Sequence, residues 1–94
     1  MSDLLDANDL DPALKKCPEW EAYENTIFRS IEFEDFAEAI EFVNTVADLA
    51  EEAGHHPDIG VSYATVTLTL LTHEEGGVTS ADIEMAQRLD NLIG

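Results

Sequence analysis

From Asp35 onward, apolar side chains recur at helical spacing. Phe36, Ile40, Val43, Ala47 and Ala50 follow one line, with Ala39, Phe42, Val46 and Leu49 beside it, while Glu38, Glu41, Asp48 and Glu52 fall opposite. Asp35 followed by Glu38 has the form of a capping box, and Gly54 suits a left-handed helix stop. Glu51 lies on the edge of the inward line. The period then changes: Pro57 biases His56 toward extended geometry, which ends the helix. In the following run, Ala64, Val66, Leu68 and Leu70 share one face of a strand. Tyr63, Thr65, Thr67, Thr69, Leu71 and His73 share the other. Glu74 to Gly77 reads as a turn, and Thr79 with Asp82 opens a last helix whose buried line is Ile83, Ala86, Leu89 and Ile93.

Upstream the pattern is weaker. Residues 1–8 are polar and read as a frayed end. Asp9-Leu10-Asp11-Pro12 has helix-start chemistry, with either aspartate as cap and Pro12 in the first turn; Leu10 and Leu14 face inward and Pro18 stops the helix. Trp20–Tyr23 and Thr26–Phe33 read as strands joined by a tight turn at Glu24-Asn25, since Asn tolerates positive φ. Ile27, Ile31 and Phe33 share their face with a charged Arg29, so this pair reads as a half-buried hairpin. The expected order is α-β-β-α-β-β-α, provided the second extended run contains a turn: a single α+β domain over residues 1–94, with one antiparallel sheet and helices on one face. Ser62-Tyr63-Ala64-Thr65 is poor turn chemistry, so spacing alone does not supply that turn.

Composition changes the picture mainly through charge. Twenty-one acids against four bases give a formal charge of −17. That excludes a phosphate-binding surface of the basic kind, and hence ordinary nucleic-acid binding, and it disfavours anionic membranes. The acids are spread along the chain, which points to a fold adapted to a high-salt cytoplasm, where close repulsion is screened; the alternative is an ordinary acidic protein or one with a basic partner. The single cysteine, Cys17, makes no internal disulfide and belongs to no Cys-based zinc pattern. No apolar run is long enough to span a bilayer, and the acidic start is unlike a signal peptide, so a cytoplasmic protein is expected.

All three histidines, His55, His56 and His73, lie between Gly54 and His73. Three readings are open on spacing alone. They are unrelated surface imidazoles, or a metal site with nearby carboxylates, or acid–base groups able to move protons near neutrality. Adjacent histidines diverge in extended chain, which counts against one shared ion. No nucleophile elbow and no Gly-rich phosphate loop is present, which favours proton transfer on a bound small molecule.

Glu51-Glu-Ala-Gly-His55-His56-Pro57, then Tyr63, then Val66 to His73, then Gly77-Val-Thr-Ser-Ala-Asp82-Ile83, resembles the pterin-4a-carbinolamine dehydratase family, also known as the dimerisation cofactor of a homeodomain transcription factor. The similarity reaches upstream through Trp20, Ile27-Phe28, Phe33, Asp35-Phe36 and Ala39. The resemblance implies a four-stranded antiparallel sheet with helices on one face, and supplies a turn near Tyr63. It implies loss of water from a 4a-hydroxytetrahydropterin to give quinonoid dihydropterin, with no metal or cofactor beyond the pterin substrate. His55 and His73 match the acid–base histidines and His56 the third active-site histidine. Glu51, Pro57, Tyr63 and Asp82 match other pocket positions, Asp82 being able to orient an imidazole. A homodimer or homotetramer is implied. The chain departs from the family at Ile59, where many members have Trp, and at Gly54, where animal members have an acid. The rival functions are a relative acting on another pterin, such as one of molybdopterin metabolism, and a non-catalytic dimerising module.

Overall fold

The computed structural model describes residues 4–93. Three helices and four strands follow in the order α1 (Ala7–Leu14), β1 (Glu21–Tyr23), β2 (Thr26–Glu32), α2 (Phe36–Ala53), β3 (Asp58–Ser62), β4 (Thr65–Leu70) and α3 (Ser80–Ile93). The strands form one antiparallel sheet in the order β1-β2-β4-β3, an α+β arrangement. Ile27, Val66, Leu68 and Leu70 present a fully buried face to the helices, from which Ala39, Val46, Ala50, Ile83, Met85, Ala86 and Leu89 close the core. Burying the larger of these, the Ile, Val, Leu and Met side chains, stabilises by about 1.5–3 kcal/mol each.

The helix ends obey local chemistry. Asp35 caps α2 by accepting the Glu38 N–H at 2.8 Å, and Gly54 ends it at φ 68°, its N–H donating to Ala50 O. For α1 the expected caps Asp9 and Asp11 are displaced by Asp6, whose carboxylate accepts the N–H groups of both Asn8 and Asp9. The helix therefore starts earlier, and Pro12 lies inside it. Of the expected frayed end, residues 1–3 lie outside the described residues. From Leu4 the chain is tied down, by a bridge to Thr79 and by the Leu5 N–H on Val78 O.

Three further expectations need correction. The buried line of α2 is Ala39, Val46 and Ala50, flanked by Phe42, Val43, Leu49 and Ala53; Phe36 is 56% exposed and Ala47 is exposed. The stripe is rotated because α2 packs on β4 and α3 together. Second, Trp20 precedes β1 and is buried instead against α3: its indole N–H and the Arg29 guanidinium both donate to Asp90 Oδ1, at 2.8 and 2.6 Å. That shared acceptor explains how a charge sits on the inward face of β2. Third, His73 lies beyond β4, in the turn that follows it.

Cys17 is buried and its thiol is pushed up, by burial first and by the nearby negative charge of Asp90 second. A raised folded-state value means the native protein keeps the proton longer than the unfolded chain. The resulting stability is complete below the ordinary thiol range near 8.5 and is lost as pH rises through the folded value. Urea midpoints measured from about pH 8 to pH 10 should therefore fall, and fall less steeply in Cys17→Ala.

Candidate active site

The antiparallel register fixes where the histidines meet. Asp58 at the start of β3 pairs with Thr69 near the end of β4. Continued past the strand ends, that register brings the segment from Gly54 to His56 alongside Leu71 to His73. These segments, with Glu74, line one cleft of about 280 Å³, just below the usual range of small-molecule sites. The left-handed Gly54 turns the chain off α2 so that His55 follows the helix end directly, and His55 N–H shares the Ala50 carbonyl that ends the helix.

The three imidazoles have different surroundings. Behind His55 is Asp82, whose carboxylate is completely buried; His55 Nε2 lies 2.5 Å from Asp82 Oδ1. A carboxylate oxygen accepts, so Nε2 carries the hydrogen and Nδ1 is the nitrogen left to a ligand. His56 Nε2 donates to Glu51 Oε2 at 3.2 Å, an exposed pair of small energetic weight. His73 is exposed at the other wall, in a turn closed by the Glu75 and Gly76 N–H groups on Thr72 O.

Asp82 does two jobs. Its Oδ2 accepts the Thr79 N–H at 2.8 Å, which is the reciprocal half of a helix cap, while Oδ1 holds His55. Oδ2 also accepts the Thr72 hydroxyl at 2.9 Å. Thr72 and Thr79 are not among the residues that spacing or resemblance assigns a site role. The signal that could have found them is a hydroxyl on each side of the turn that carries His73.

Other predicted site residues are placed differently. Glu51 reaches the site through His56, and Pro57 is half-buried next to it without lining the cleft. Tyr63 is not brought to the histidines. It lies at the β3–β4 turn with φ 56° and is 89% exposed, and a five-residue strand, itself about 17 Å long, separates it from them. Ile59 pairs with Leu68 on the edge strand and does not line the cleft either. The cleft carries carboxylates at its margin, Glu51 and Glu74, and no Lys or Arg among its lining residues. Arg88 lies in a neighbouring hollow that shares His55, and donates to Glu52. Among the described residues, no three His, Cys, Asp or Glu side chains are grouped to hold a metal ion.

Comparison with known proteins covers nearly the whole chain. The family described as pterin 4 alpha carbinolamine dehydratase matches residues 3–92. A relative from Koribacter versatilis bearing the pterin-4-alpha-carbinolamine dehydratase name is 50% identical over 98% of both chains. One of the same name from Nocardia farcinica is 43% identical over 97% of this chain and 96% of its own. Among solved structures, a transcriptional coactivator/pterin dehydratase from Brucella melitensis superposes with a TM-score of 0.88 at 36% identity, covering 96% of this chain and 98% of that one. A pterin dehydratase-like protein identified as a RuBisCO assembly factor in the α-carboxysome superposes at 0.65 with 28% identity, covering 80% of this chain and 87% of that one.

Proposed function

The chain belongs to the pterin 4 alpha carbinolamine dehydratase family, and from that premise we propose that it eliminates water from a 4a-hydroxytetrahydropterin, giving quinonoid dihydropterin, by proton transfer through His55 and His73. The observation that supports this best is the pairing of His55 Nε2 with a buried carboxylate in a cleft whose other wall carries His73. In the reaction the C4a–O bond breaks, a protonated imidazole gives its proton to the departing hydroxyl, and a neutral imidazole takes the proton from ring N5. Water leaves and the two imidazoles exchange protonation states. His55 takes part through Nδ1, since Asp82 occupies Nε2. The ring edge of a pterin is rich in N–H donors, which suits a cleft edged by Glu51 and Glu74 and lacking cations.

His56, exposed and tied only to Glu51, is assigned to binding. His56→Ala should raise KM about 3–10-fold with kcat within about twofold, the signature of lost ground-state binding. Steady-state kinetics on synthetic carbinolamine checks this, and a kcat loss as large as that of His55→Ala would contradict it. If the physiological pterin is another one, its carbinolamine should be preferred in kcat/KM over the biopterin compound.

The protein is proposed to be a cytoplasmic homo-oligomer, and two surfaces support self-association. β3 is an edge strand exposed along its length, with Ile59 and Val61 36% and 38% exposed. On α2, Phe36 begins a partly exposed apolar line through Ile40, Val43 and Ala47, more apolar than an acidic outer face suggests. The same line would serve a dimerising module, and the assembly-factor relative gives that second reading a precedent. Turnover of carbinolamine by the purified protein separates the two. No helix among the described residues is long and apolar enough to cross a membrane.

A further inference from the structure

We propose that Thr72 is a positioning residue shared by both acid–base histidines, setting His55 through its side chain and His73 through its backbone, with Thr79 behind it. The inference rests on the dehydratase reading and deepens it. The side-chain half begins with a limited supply of hydrogens. Thr72 Oγ1 lies 2.9 Å from Asp82 Oδ2 and 2.9 Å from Thr79 Oγ1. A hydroxyl has one hydrogen, and Asp82 Oδ2 can only accept, so Thr72 gives its hydrogen to Asp82 and receives that of Thr79. Thr79 Oγ1 itself stands 3.4 Å from Oδ2, the weaker of its two contacts.

With the Thr79 N–H added at 2.8 Å, Oδ2 is saturated from one side, and Oδ1 is left facing His55 Nε2. The carboxylate is completely buried and Thr79 nearly so, which leaves half-buried Thr72 as the donor on the cleft side of the network. The chain Thr79 to Thr72 to Asp82 to His55 thus fixes the orientation of the carboxylate that accepts the Nε2 hydrogen of His55.

The backbone half concerns the turn. Thr72 bridges Gly77, its N–H donating to Gly77 O at 2.8 Å. Its carbonyl accepts the N–H groups of Glu75 and Gly76 at 3.0 and 2.9 Å, and that of Gly77 at 3.4 Å. The four residues so enclosed begin with His73. One residue therefore anchors the loop that presents one imidazole and orients the carboxylate that holds the other. The side chain alone can be removed without touching the backbone half, which makes the two separable.

Thr72→Val keeps the β-branched shape and deletes the hydroxyl. It should lower kcat about 10–100-fold with KM within about threefold, as for other residues supporting a reactive group at one remove. Thr79→Val should give a smaller loss, and Thr72→Ser should recover most of the activity that Val removes. Solvent exchange of the His55 Nε2 hydrogen, followed by NMR, supplies a readout that does not depend on turnover: slow in the unmodified protein, about 10-fold or more faster in Thr72→Val, where the carboxylate that holds it has lost a donor. If the unmodified protein dehydrates no carbinolamine, the dehydratase reading fails while the exchange rate still decides the positioning claim. An unchanged exchange rate in Thr72→Val, or equal kcat losses in Thr72→Val and Thr72→Ser, would overturn it. Should Thr72→Val not fold, Thr79→Val and Thr72→Ser carry the same comparison.

Discussion

Asp82→Asn should lower kcat for carbinolamine dehydration by about 10²–10⁴-fold, the upper figure being the loss when the carboxylate of a serine-protease triad becomes an amide. The reason is geometric. Two donors converge on the Oδ2 position, the Thr79 backbone N–H and the Thr72 hydroxyl. An amide placed with its nitrogen there would bury donor against donor. The amide oxygen therefore takes that position, and the NH₂ group turns to His55 Nε2, where the carboxylate had accepted. His55 must then accept at Nε2 and carry its hydrogen on Nδ1, the opposite of the arrangement in the native site. The fold should survive, with a stability loss of about 1–3 kcal/mol for one weakened buried network. Circular dichroism and steady-state kinetics check both parts; kcat within about threefold of the native value would contradict the role given to Asp82.

Salt should have the largest effect on stability. Two like charges about 10 Å apart repel by ~0.4 kcal/mol in a water-like dielectric, and the folded chain holds more such pairs than the unfolded one. With four bases for twenty-one acids, most carboxylates have no cation to meet. Both arginines pair with acids, Arg29 with Asp90 and Arg88 with Glu52, while Glu38, Glu41 and Asp48 stand exposed along α2. Raising KCl from about 0.1 to about 1 M shortens the screening length from about 10 to about 3 Å. A net gain of ~2 kcal/mol would appear as a rise of about 8–16 °C in Tm. Maximal stability in dilute buffer would remove the proposal that the acidity is an adaptation to high salt.

Much of the scaffold is legible in the sequence because local chemistry and periodicity agree. The cap at Asp35, the stop at Gly54 and the buried line of α3 each follow from residues within a few positions of one another. The turn at Tyr63 was not legible from spacing. A tyrosine at φ 56° is poor turn chemistry, and it is held there by distant partners: the β3–β4 register and the Phe33 N–H donating to Ala64 O. The rotation of α2 likewise depends on what β4 and α3 present to it. At the site, the convergence of His55, His56 and His73 follows once the hairpin exists. The second role of Asp82, orienting an imidazole, comes from the family resemblance alone, because by spacing a helix cap explains the same residue. Thr72 and Thr79 were hidden because their hydroxyls meet only in three dimensions. Tyr63 shows the reverse error, since matching a family position does not bring a side chain to the cleft of its own protomer.

The most direct test of the proposed chemistry is the initial rate of dehydration of synthetic 4a-carbinolamine by the native protein, His55→Ala, His73→Ala and the double variant. Each single variant should lose about 10²–10⁴-fold in kcat, and the double variant should fall close to the uncatalysed rate. Equal rates for native protein and all three variants would contradict histidine acid–base catalysis in this cleft.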